Sequence, residues 1–371
     1  MVQGTNGELY GPAFNPSDPH TTPPQYYYSL DVSGQNIQIF PYPTTQWGSA
    51  WQTLIAPPGV LYDLVAHPPK NSGGAPIFGF ARIAQTGAMT ILHVFSAGEG
   101  YPLNSFNSLT RATDGSFYGV AYEHYTGVSP GFIYRVTPDG AYSKLLTFPS
   151  TPLGAAAVFL PIRAASDGNL YGTFETGGTN NTGVIYQATP SGQLQTVANF
   201  PATGMAEPQT LTQAGDGNLY GTTNYNQIFR YNLTTHSLGL IYQMAPDGSQ
   251  GKCGCDLIEG MDGKLYGAAP YGGPFPGLGA VFSLDIGLPK PLPVVSGLYP
   301  ASGGAGQRVL LWGNYLLGAT SVTFSGAAAT NFKSTSVQSV YATVPTGATT
   351  GPVTITPANG SYTTTQSFTV Q

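Results

Sequence analysis

The residue types that most often carry chemistry are few in this chain and lie far apart. Its 371 residues include five histidines and two cysteines, and only 8% are charged. The histidines are scattered, and no H-E-x-x-H or H-x-H pair, the spacings that hold a metal ion, occurs. The carboxylates are too dispersed to form an acid and base pair. We therefore predict no catalytic residue, no cofactor and no metal site, and we expect a protein that is not an enzyme.

The two cysteines, Cys253 and Cys255, are separated by a single glycine. A disulfide this tight is strained, and two thiolates alone do not make a metal site. A local disulfide and a pair of reduced packing residues are therefore the two interpretations of this motif.

Aromatic residues give a stronger indication of binding. We predict that Tyr122, Tyr125, Tyr225 and Tyr271 lie in equivalent loops between strands and cluster on one face. Rings exposed there could stack on sugars, because an aromatic ring offers a flat apolar surface. The alternative is that these rings pack within their own loops.

Three N-glycosylation sequons are present, at Asn180, Asn232 and Asn359. All three fall in predicted loops or turns, where an oligosaccharide has room. The pattern also arises by chance in a chain rich in Asn and Thr, so modification is a hypothesis only.

Composition limits the partners and the location of the protein. The net charge is −5 and there is no basic cluster, which argues against a nucleic-acid partner. No run of 18 apolar residues occurs, so we expect no membrane insertion. The charged fraction is about a third of the usual share, which is typical of secreted and cell-surface β proteins. We expect an exported protein whose signal peptide is not part of this sequence.

One repeated phrase must position all of these residues. In its fullest form it spans Asp216–Gly221 and reads Asp-Gly-Asn-Leu-Tyr-Gly. Asp-Gly favours a type I′ hairpin turn, in which both central residues have positive φ. The tyrosine recurs every 46 to 56 residues, at positions 10, 62, 118, 171, 220 and 266. Four short strands at this period predict an all-β fold, with a six-bladed β-propeller over residues 1–285.

The sixth repeat is predicted to be incomplete. After its third strand the chain continues into residues 286–293, where alternate prolines cannot donate to a β-ladder. We therefore predict an extended linker there and no fourth strand. The open strand edge that results is a site for pairing with another chain. The glycine after each repeated tyrosine is expected to let neighbouring blades approach closely.

Residues 294–371 have a different period and predict an immunoglobulin-like β-sandwich. The segments that identify it are Tyr299–Gly306, Leu311–Leu316, Gly318–Gly326 and Val344–Val353. They resemble the IPT/TIG domain family. That resemblance implies a spacer or interaction module of bacterial surface proteins, adhesins and glycan-binding enzymes, without catalytic residues.

Residues 1–285 resemble the bacterial tandem-repeat group with "GloVer" repeats. This group pairs the Asp-Gly-x-x-Tyr-Gly phrase with a second one, found here at Gly131–Tyr134, Gly183–Tyr186 and Gly279–Phe282. The resemblance implies an exported, surface-anchored protein of unassigned activity. A weaker likeness exists to propeller lyases that carry an Asp-Gly-x-Leu-Trp phrase. In this chain Tyr replaces that Trp throughout, and no catalytic His is found to carry over.

These observations predict an extracellular structural protein that self-associates, as a homo-oligomer or a filament, through the open blade edge and the immunoglobulin-like domain. A polysaccharide-binding module is the alternative. A polysaccharide lyase or hydrolase is a third possibility, and it lacks a nameable acid, base or metal site.

Overall fold

The prediction of an all-β protein is confirmed. A computed structural model describes residues 2–3, 9–13, 26–30, 37–41, 48–56, 60–67, 77–84, 88–102, 109–123, 131–149, 162–245, 248–250, 254–269, 271–273 and 279–371. Within these residues a 3₁₀ turn at Ala97–Glu99 is the sole helical segment. None of the described helices is therefore long and apolar enough to cross a membrane.

Six antiparallel sheets, one per repeat, follow one another along the chain. Sheets 1 to 3 contain β1 (Val2–Gln3), β2 (Leu9–Ala13), β3 (Tyr26–Leu30), β4 (Ile37–Pro41), β5 (Gly48–Ala56), β6 (Val60–His67), β7 (Ile77–Ile83), β8 (Met89–Val94), β9 (Tyr101–Pro102), β10 (Leu109–Arg111), β11 (Phe117–Tyr122), β12 (Gly131–Val136) and β13 (Tyr142–Thr147). In each sheet four strands pair in chain order, and β9 adds a short pairing to β11 in sheet 3.

Sheets 4 and 5 repeat this four-stranded meander, and sheet 6 has three strands. They contain β14 (Arg163–Ala164), β15 (Leu170–Phe174), β16 (Val184–Ala188), β17 (Leu194–Asn199), β18 (Thr212–Gln213), β19 (Leu219–Thr222), β20 (Gln227–Tyr231), β21 (Leu238–Gln243), β22 (Leu257–Glu259), β23 (Leu265–Ala269) and β24 (Ala280–Leu284). Sheet 6 therefore ends at β24.

The C-terminal residues form two further sheets. Their strands are β25 (Val294–Tyr299), β26 (Ser302–Gly303), β27 (Arg308–Asn314), β28 (Ser321–Phe324), β29 (Ala327–Ala328), β30 (Phe332–Ser336), β31 (Ser339–Thr343), β32 (Gly351–Thr356) and β33 (Tyr362–Val370). The orders are β25-β27-β31-β30 and β26-β33-β32-β28-β29. Leu311 of one sheet and Ile355 of the other share one buried cluster, so the two sheets enclose a common core.

Sheets 2 to 6 pack face to face through shared buried clusters. Successive side chains of a strand point to opposite faces. In sheet 4, Tyr186 belongs to a buried cluster with Tyr118 of sheet 3, whereas its neighbour Ile185 belongs to a cluster with Leu219 of sheet 5. Both faces of sheet 4 are therefore apolar, and each is covered by an adjacent sheet.

The Asp-Gly turns are not type I′, and that prediction is wrong. Only the glycine has positive φ, with values of 81°, 84°, 82° and 79° at Gly115, Gly168, Gly217 and Gly263. At Gly168 the N–H donates to the Ala165 carbonyl at 3.0 Å, and the Ala165 N–H donates to the Asn169 carbonyl at 2.9 Å. This is a three-residue loop, in which a type I turn is followed by a left-handed glycine.

The aspartate of each turn holds the repeated tyrosine. In sheet 4 the Asp167 Oδ1 accepts the Asn169 N–H, and its Oδ2 accepts the Tyr171 hydroxyl at 2.7 Å. The same hydroxyl contact joins Asp114 to Tyr118, Asp216 to Tyr220 and Asp262 to Tyr266. The phrase therefore encodes a turn and a side-chain contact together.

The glycine after the tyrosine makes room within its own sheet, not between neighbouring sheets as predicted. Gly172 lies opposite Tyr186 on the adjacent strand, and a Cβ added at Gly172 would overlap the Tyr186 ring. Aromatic rings cover the equivalent Gly119, Gly221 and Gly267 in the same way. The glycine is required because a large buried ring lies across it.

The segment 285–293 has no regular secondary structure, and it is fixed to its surroundings. Ile286 and Leu288 pack against the cluster between sheets 5 and 6, and the Asn359 Nδ2 donates to the Pro291 carbonyl at 2.8 Å. The Tyr315 hydroxyl donates to the Glu259 carboxylate of sheet 6 at 3.0 Å. The C-terminal sheets are thereby joined to sheet 6.

Gly172→Ala should lower the free energy of unfolding by about 1–3 kcal/mol, because the added methyl forces the Tyr186 ring out of its place. Gly239→Ala is the control, since a Cβ at Gly239 meets no atom within 4 Å. Urea denaturation followed by tyrosine fluorescence measures both. Equal stability of the two variants would contradict this role of Gly172.

Tyr171→Phe should cost about 1–2 kcal/mol at pH 7 and less at acidic pH. Burial raises the pKa of Asp167, but hydrogen bonds from Asn169 and Tyr171 outweigh it and leave that pKa lowered. A carboxylate with a lowered pKa contributes stability above its unfolded pKa of about 3.9, and loses it as the pH falls through the folded pKa. Denaturation across pH 2 to 8 should show the two proteins converging at low pH, with Tyr271→Phe as control.

Candidate functional site

Sheet 6 leaves one apolar face open. Val281 of β24 occupies the position that Ile133, Ile185 and Ile228 occupy in sheets 3, 4 and 5. Those three isoleucines are 0%, 0% and 1% exposed, whereas Val281 is 81% exposed. Ile258 of β22 is also 65% exposed. We call Ile258, Tyr266 and Val281 the sheet 6 face.

The edge of sheet 6 is open as well. A groove of about 320 Å³ runs between β24 and the outer part of sheet 5. Ile228, Tyr242 and Met244 line it from sheet 5, and residues 280–284 line it from sheet 6. All of these residues are uncharged, so the groove favours an apolar or neutral occupant.

A polar cluster lies between sheets 4 and 5. Glu175 follows β15, while Asn224 and Tyr225 follow β19. The Asn224 Nδ2 donates to Glu207 Oε2 at 3.2 Å and to Glu175 Oε1 at 3.5 Å, and the Gln209 Nε2 also donates to Glu175 Oε1. Two carboxylates are thus held by neutral amides. Such a set can accept hydrogen bonds from a hydroxyl-rich ligand.

The backbone of sheet 5 fixes this polar cluster. Glu207 has a φ of 55°, and its carbonyl accepts the Asn224 N–H at 3.0 Å. The Gln209 N–H donates to the Thr222 carbonyl at 2.8 Å. Both side chains are therefore carried on hydrogen-bonded backbone.

An ion pair spans sheet 5. The Arg163 guanidinium of sheet 4 donates to the Asp256 carboxylate, just before β22, at 3.1 Å. Burial raises the pKa of Asp256, although the charge of Arg163 opposes this. Burial likewise lowers the pKa of Arg163. The contact draws the first strands of sheets 4 and 6 together.

In the described chain no group of three or more His, Cys, Asp or Glu is placed to hold a metal ion.

The predicted sugar-stacking tyrosines have different positions. Tyr225 is 55% exposed, and its hydroxyl donates to Glu207 Oε1 at 3.2 Å, which raises the pKa of the phenol. Tyr271 is 69% exposed. Tyr122 is half-buried and ends β11, so its prediction as a loop residue is wrong. Tyr125 lies outside the described residues.

The three sequon asparagines all lie outside strands. The Asn180 Nδ2 donates to the Phe200 carbonyl at 2.9 Å, and the Asn359 Nδ2 donates to the linker. The Asn232 side chain instead accepts the Thr234 and Thr235 N–H groups through its Oδ1. Cys255 takes part in a disulfide, and Cys253 lies outside the described residues.

The polar cluster was not predicted from the sequence, although the repeats contain a signal for it. Glu175 and Asn224 each stand three residues after the repeated glycine, as does Tyr122. Alignment of the repeats would have shown polar or aromatic residues at one equivalent position. Their contacts with Glu207 and Gln209 depend on how two sheets meet.

The repeats and their sheets define an all-β tandem-repeat protein. Its sequence matches the Gloeobacter/Verrucomicrobia repeat over residues 49–282 and 104–332. The chain belongs to this repeat family, which agrees with the resemblance to GloVer repeats. No curated protein matches the chain.

Several solved structures are distantly similar. A fungal alcohol oxidase in complex with copper shares 12% identity, with 99% of this chain and 95% of that chain covered and a TM-score of 0.41. A Mycobacterium tuberculosis puromycin-hydrolyzing peptidase shares 14%, covering 81% and 50%, with a TM-score of 0.48. A Vibrio parahaemolyticus oligogalacturonate lyase shares 11%, covering 70% and 74%, with a TM-score of 0.44. Because every TM-score is below 0.5, these likenesses assign no activity to this chain.

Proposed function

We propose that this chain is a non-enzymatic structural module of a bacterial surface or matrix that associates with further copies of itself. In this proposal residues 1–285 form a six-bladed β-propeller with an incomplete last blade. Residues 286–293 link it to an IPT/TIG immunoglobulin-like domain at 294–371. The observation that carries the proposal is the 81% exposure of Val281, at a position that is buried in sheets 3, 4 and 5.

The repeats themselves indicate what covers the sheet 6 face. Ile133 is covered by sheet 4, Ile185 by sheet 5 and Ile228 by sheet 6. The matching cover for Val281 is a sheet of the same kind, and sheet 1 is the first repeat sheet within residues 1–371. Because Val281 is exposed, its own sheet 1 does not cover it. We therefore assign this position to sheet 1 of a second copy.

Such a contact joins two different surfaces, so it repeats head to tail. Contacts of this type give rings when the rotation closes and filaments when it does not. Burial of Val281 and Ile258 would contribute about 1.5–3 kcal/mol for each side chain. The low charge of the chain, 8% Asp, Glu, Lys and Arg, supports a place outside the cell.

Val281→Glu should convert assemblies into monomers, because the contact would bury an unpaired carboxylate. We expect the association constant to fall at least about tenfold. Sedimentation velocity and negative-stain electron microscopy of the full chain measure this. Leu240→Glu is the control, since Leu240 is a 47% exposed residue of the outer strand of sheet 5. A wild-type protein that is monomeric at every concentration would overturn the proposal.

Polysaccharide binding is a second candidate, favoured by the exposed Tyr225 ring beside the polar cluster. The ring can stack on a sugar while Glu175, Glu207 and Asn224 bond its hydroxyls. Two carboxylates at the site repel anionic chains, so neutral polysaccharides are the expected ligands.

Tyr225→Ala should weaken binding to a neutral polysaccharide by about tenfold or more, because stacking area is lost. Tyr225→Phe should bind almost as the wild type does, because it keeps the ring and loses only the contact with Glu207. Glycan arrays followed by isothermal calorimetry on the best neutral glycan test this. Equal losses in both variants would show that the ring does not stack.

A further inference from the structure

In the part of the chain that the structure describes, sheet 6 lacks the fourth strand that sheets 1 to 5 all possess, which leaves its edge open. We infer that this edge binds a seven-residue polypeptide strand donated by a partner chain, antiparallel to β24. Its sequence pattern is apolar, polar, any, apolar, apolar, polar, then Phe or Met. This inference extends the proposed self-association. It rests on that proposal in one respect, which is that sheet 6 is the surface where another chain binds.

The four outer strands of sheets 2 to 5 define the pattern. Each outer strand and the buried residue that follows it form a segment of seven residues. The four segments are Met89–Phe95, Tyr142–Phe148, Leu194–Phe200 and Leu238–Met244. In all four segments the first, fourth and fifth residues are half-buried and the seventh is buried. The second and sixth residues are exposed in all four. The occupied position thus has one burial pattern. Three of the four segments fill its half-buried positions with apolar residues, and the sheet 2 segment has His93 at the fifth position and Val94 at the sixth.

Backbone hydrogen bonds define the register. The N–H of the seventh residue donates to a carbonyl just before or at the start of the third strand, as Phe200 does to Gly183 at 2.9 Å and Phe148 does to Gly131 at 2.9 Å. The equivalent acceptor in sheet 6 is Gly279. The first residue pairs with the end of the third strand, as Leu194 pairs with Ala188. The first residue of a donated strand therefore lies opposite Leu284. The N–H of its seventh residue donates to the Gly279 carbonyl.

An irregularity supports the same register. The third and fourth strands shift register between Ile133 and Tyr134, Ile185 and Tyr186, and Ile228 and Phe229. Sheet 2 shows the shift at the equivalent place. One residue of each outer strand is therefore unpaired, which is why seven residues lie against six.

Adjacent outer strands also contact each other, and sheet 5 lacks this contact on one side. The fifth residue of one strand packs on the first residue of the next, as His93 stacks on Tyr142 at 5.1 Å. Ala198 and Leu238, which hold the same two positions in sheets 4 and 5, both pack against one buried cluster. The fifth residue of the sheet 5 strand is Tyr242, which lines the open groove. Tyr242 is therefore placed to receive the first apolar residue of a donated strand.

A synthetic peptide that copies Leu194–Phe200 is the probe. Labelled with a fluorophore, it is titrated with the full chain, and anisotropy measures the dissociation constant. The control peptide carries Asp in place of the residues equivalent to Val197 and Ala198. It should bind at least about tenfold more weakly, because two apolar contacts are replaced by charges.

A cross-link measures the register. Ser283→Cys is combined with a peptide that carries Cys at its second position, which lies opposite Ser283 in the proposed pairing, as Gln195 lies opposite Gln187. Directly opposed residues lie within the reach of a disulfide. The second-position peptide should cross-link at least about tenfold faster than peptides with Cys at the fourth or sixth position.

The outcomes separate this inference from self-association. Binding of the copied peptide in register to a protein that is monomeric would support the strand site and overturn the assembly role. Self-association that Val281→Glu abolishes, without any binding of the peptide, would overturn the strand site alone. Equal binding of the Asp peptide, or cross-linking without register preference, would also overturn it.

Discussion

A sheet with two apolar faces has to be covered on both, and this requirement organises the molecule. The alternation of strand side chains sends Ile185 towards sheet 5 and Tyr186 towards sheet 3. No single repeat can satisfy both of its faces, so each depends on its neighbours. The requirement is met inside the series and fails at its end, where Val281 is exposed. The exposure of Val281 follows from the place of sheet 6 at the end of the repeat sheets, whereas the proline-rich segment 286–293 accounts for its missing fourth strand.

The repeated phrase meets this requirement with few residues. The aspartate closes the loop and bonds the tyrosine, whose ring is buried against the next sheet. The following glycine leaves space for an aromatic ring from the adjacent strand, which is buried against the preceding sheet. One phrase thus fixes the turn and places large side chains on both faces. The repetition of this phrase explains how the chain builds a core from many short strands.

The sequence predicted the strands well, because the period and the turn residues are local signals. The strands around Leu219–Thr222 and the three-stranded form of sheet 6 agree with that prediction. The predicted type I′ turn is wrong. Asp-Gly occurs in both two-residue and three-residue hairpin loops, and the register of the flanking strands decides which loop forms. The space beside Gly172 lies within its own sheet because Gly172 pairs with Tyr186, and a sequence does not show that pairing. The polar cluster depends on contacts between repeats, which periodicity does not contain.

The C-terminal sheets do not cover the open end. They are joined to sheet 6 through the Tyr315 contact with Glu259 and the Asn359 contact with the linker. The Glu259 carboxylate also accepts the Gly215 N–H of sheet 5 at 2.7 Å, so one side chain connects sheet 5, sheet 6 and the C-terminal sheets. With these contacts in place Val281 and Ile258 are still exposed. The C-terminal sheets therefore hold the last repeat sheet in position and leave Val281 and Ile258 exposed.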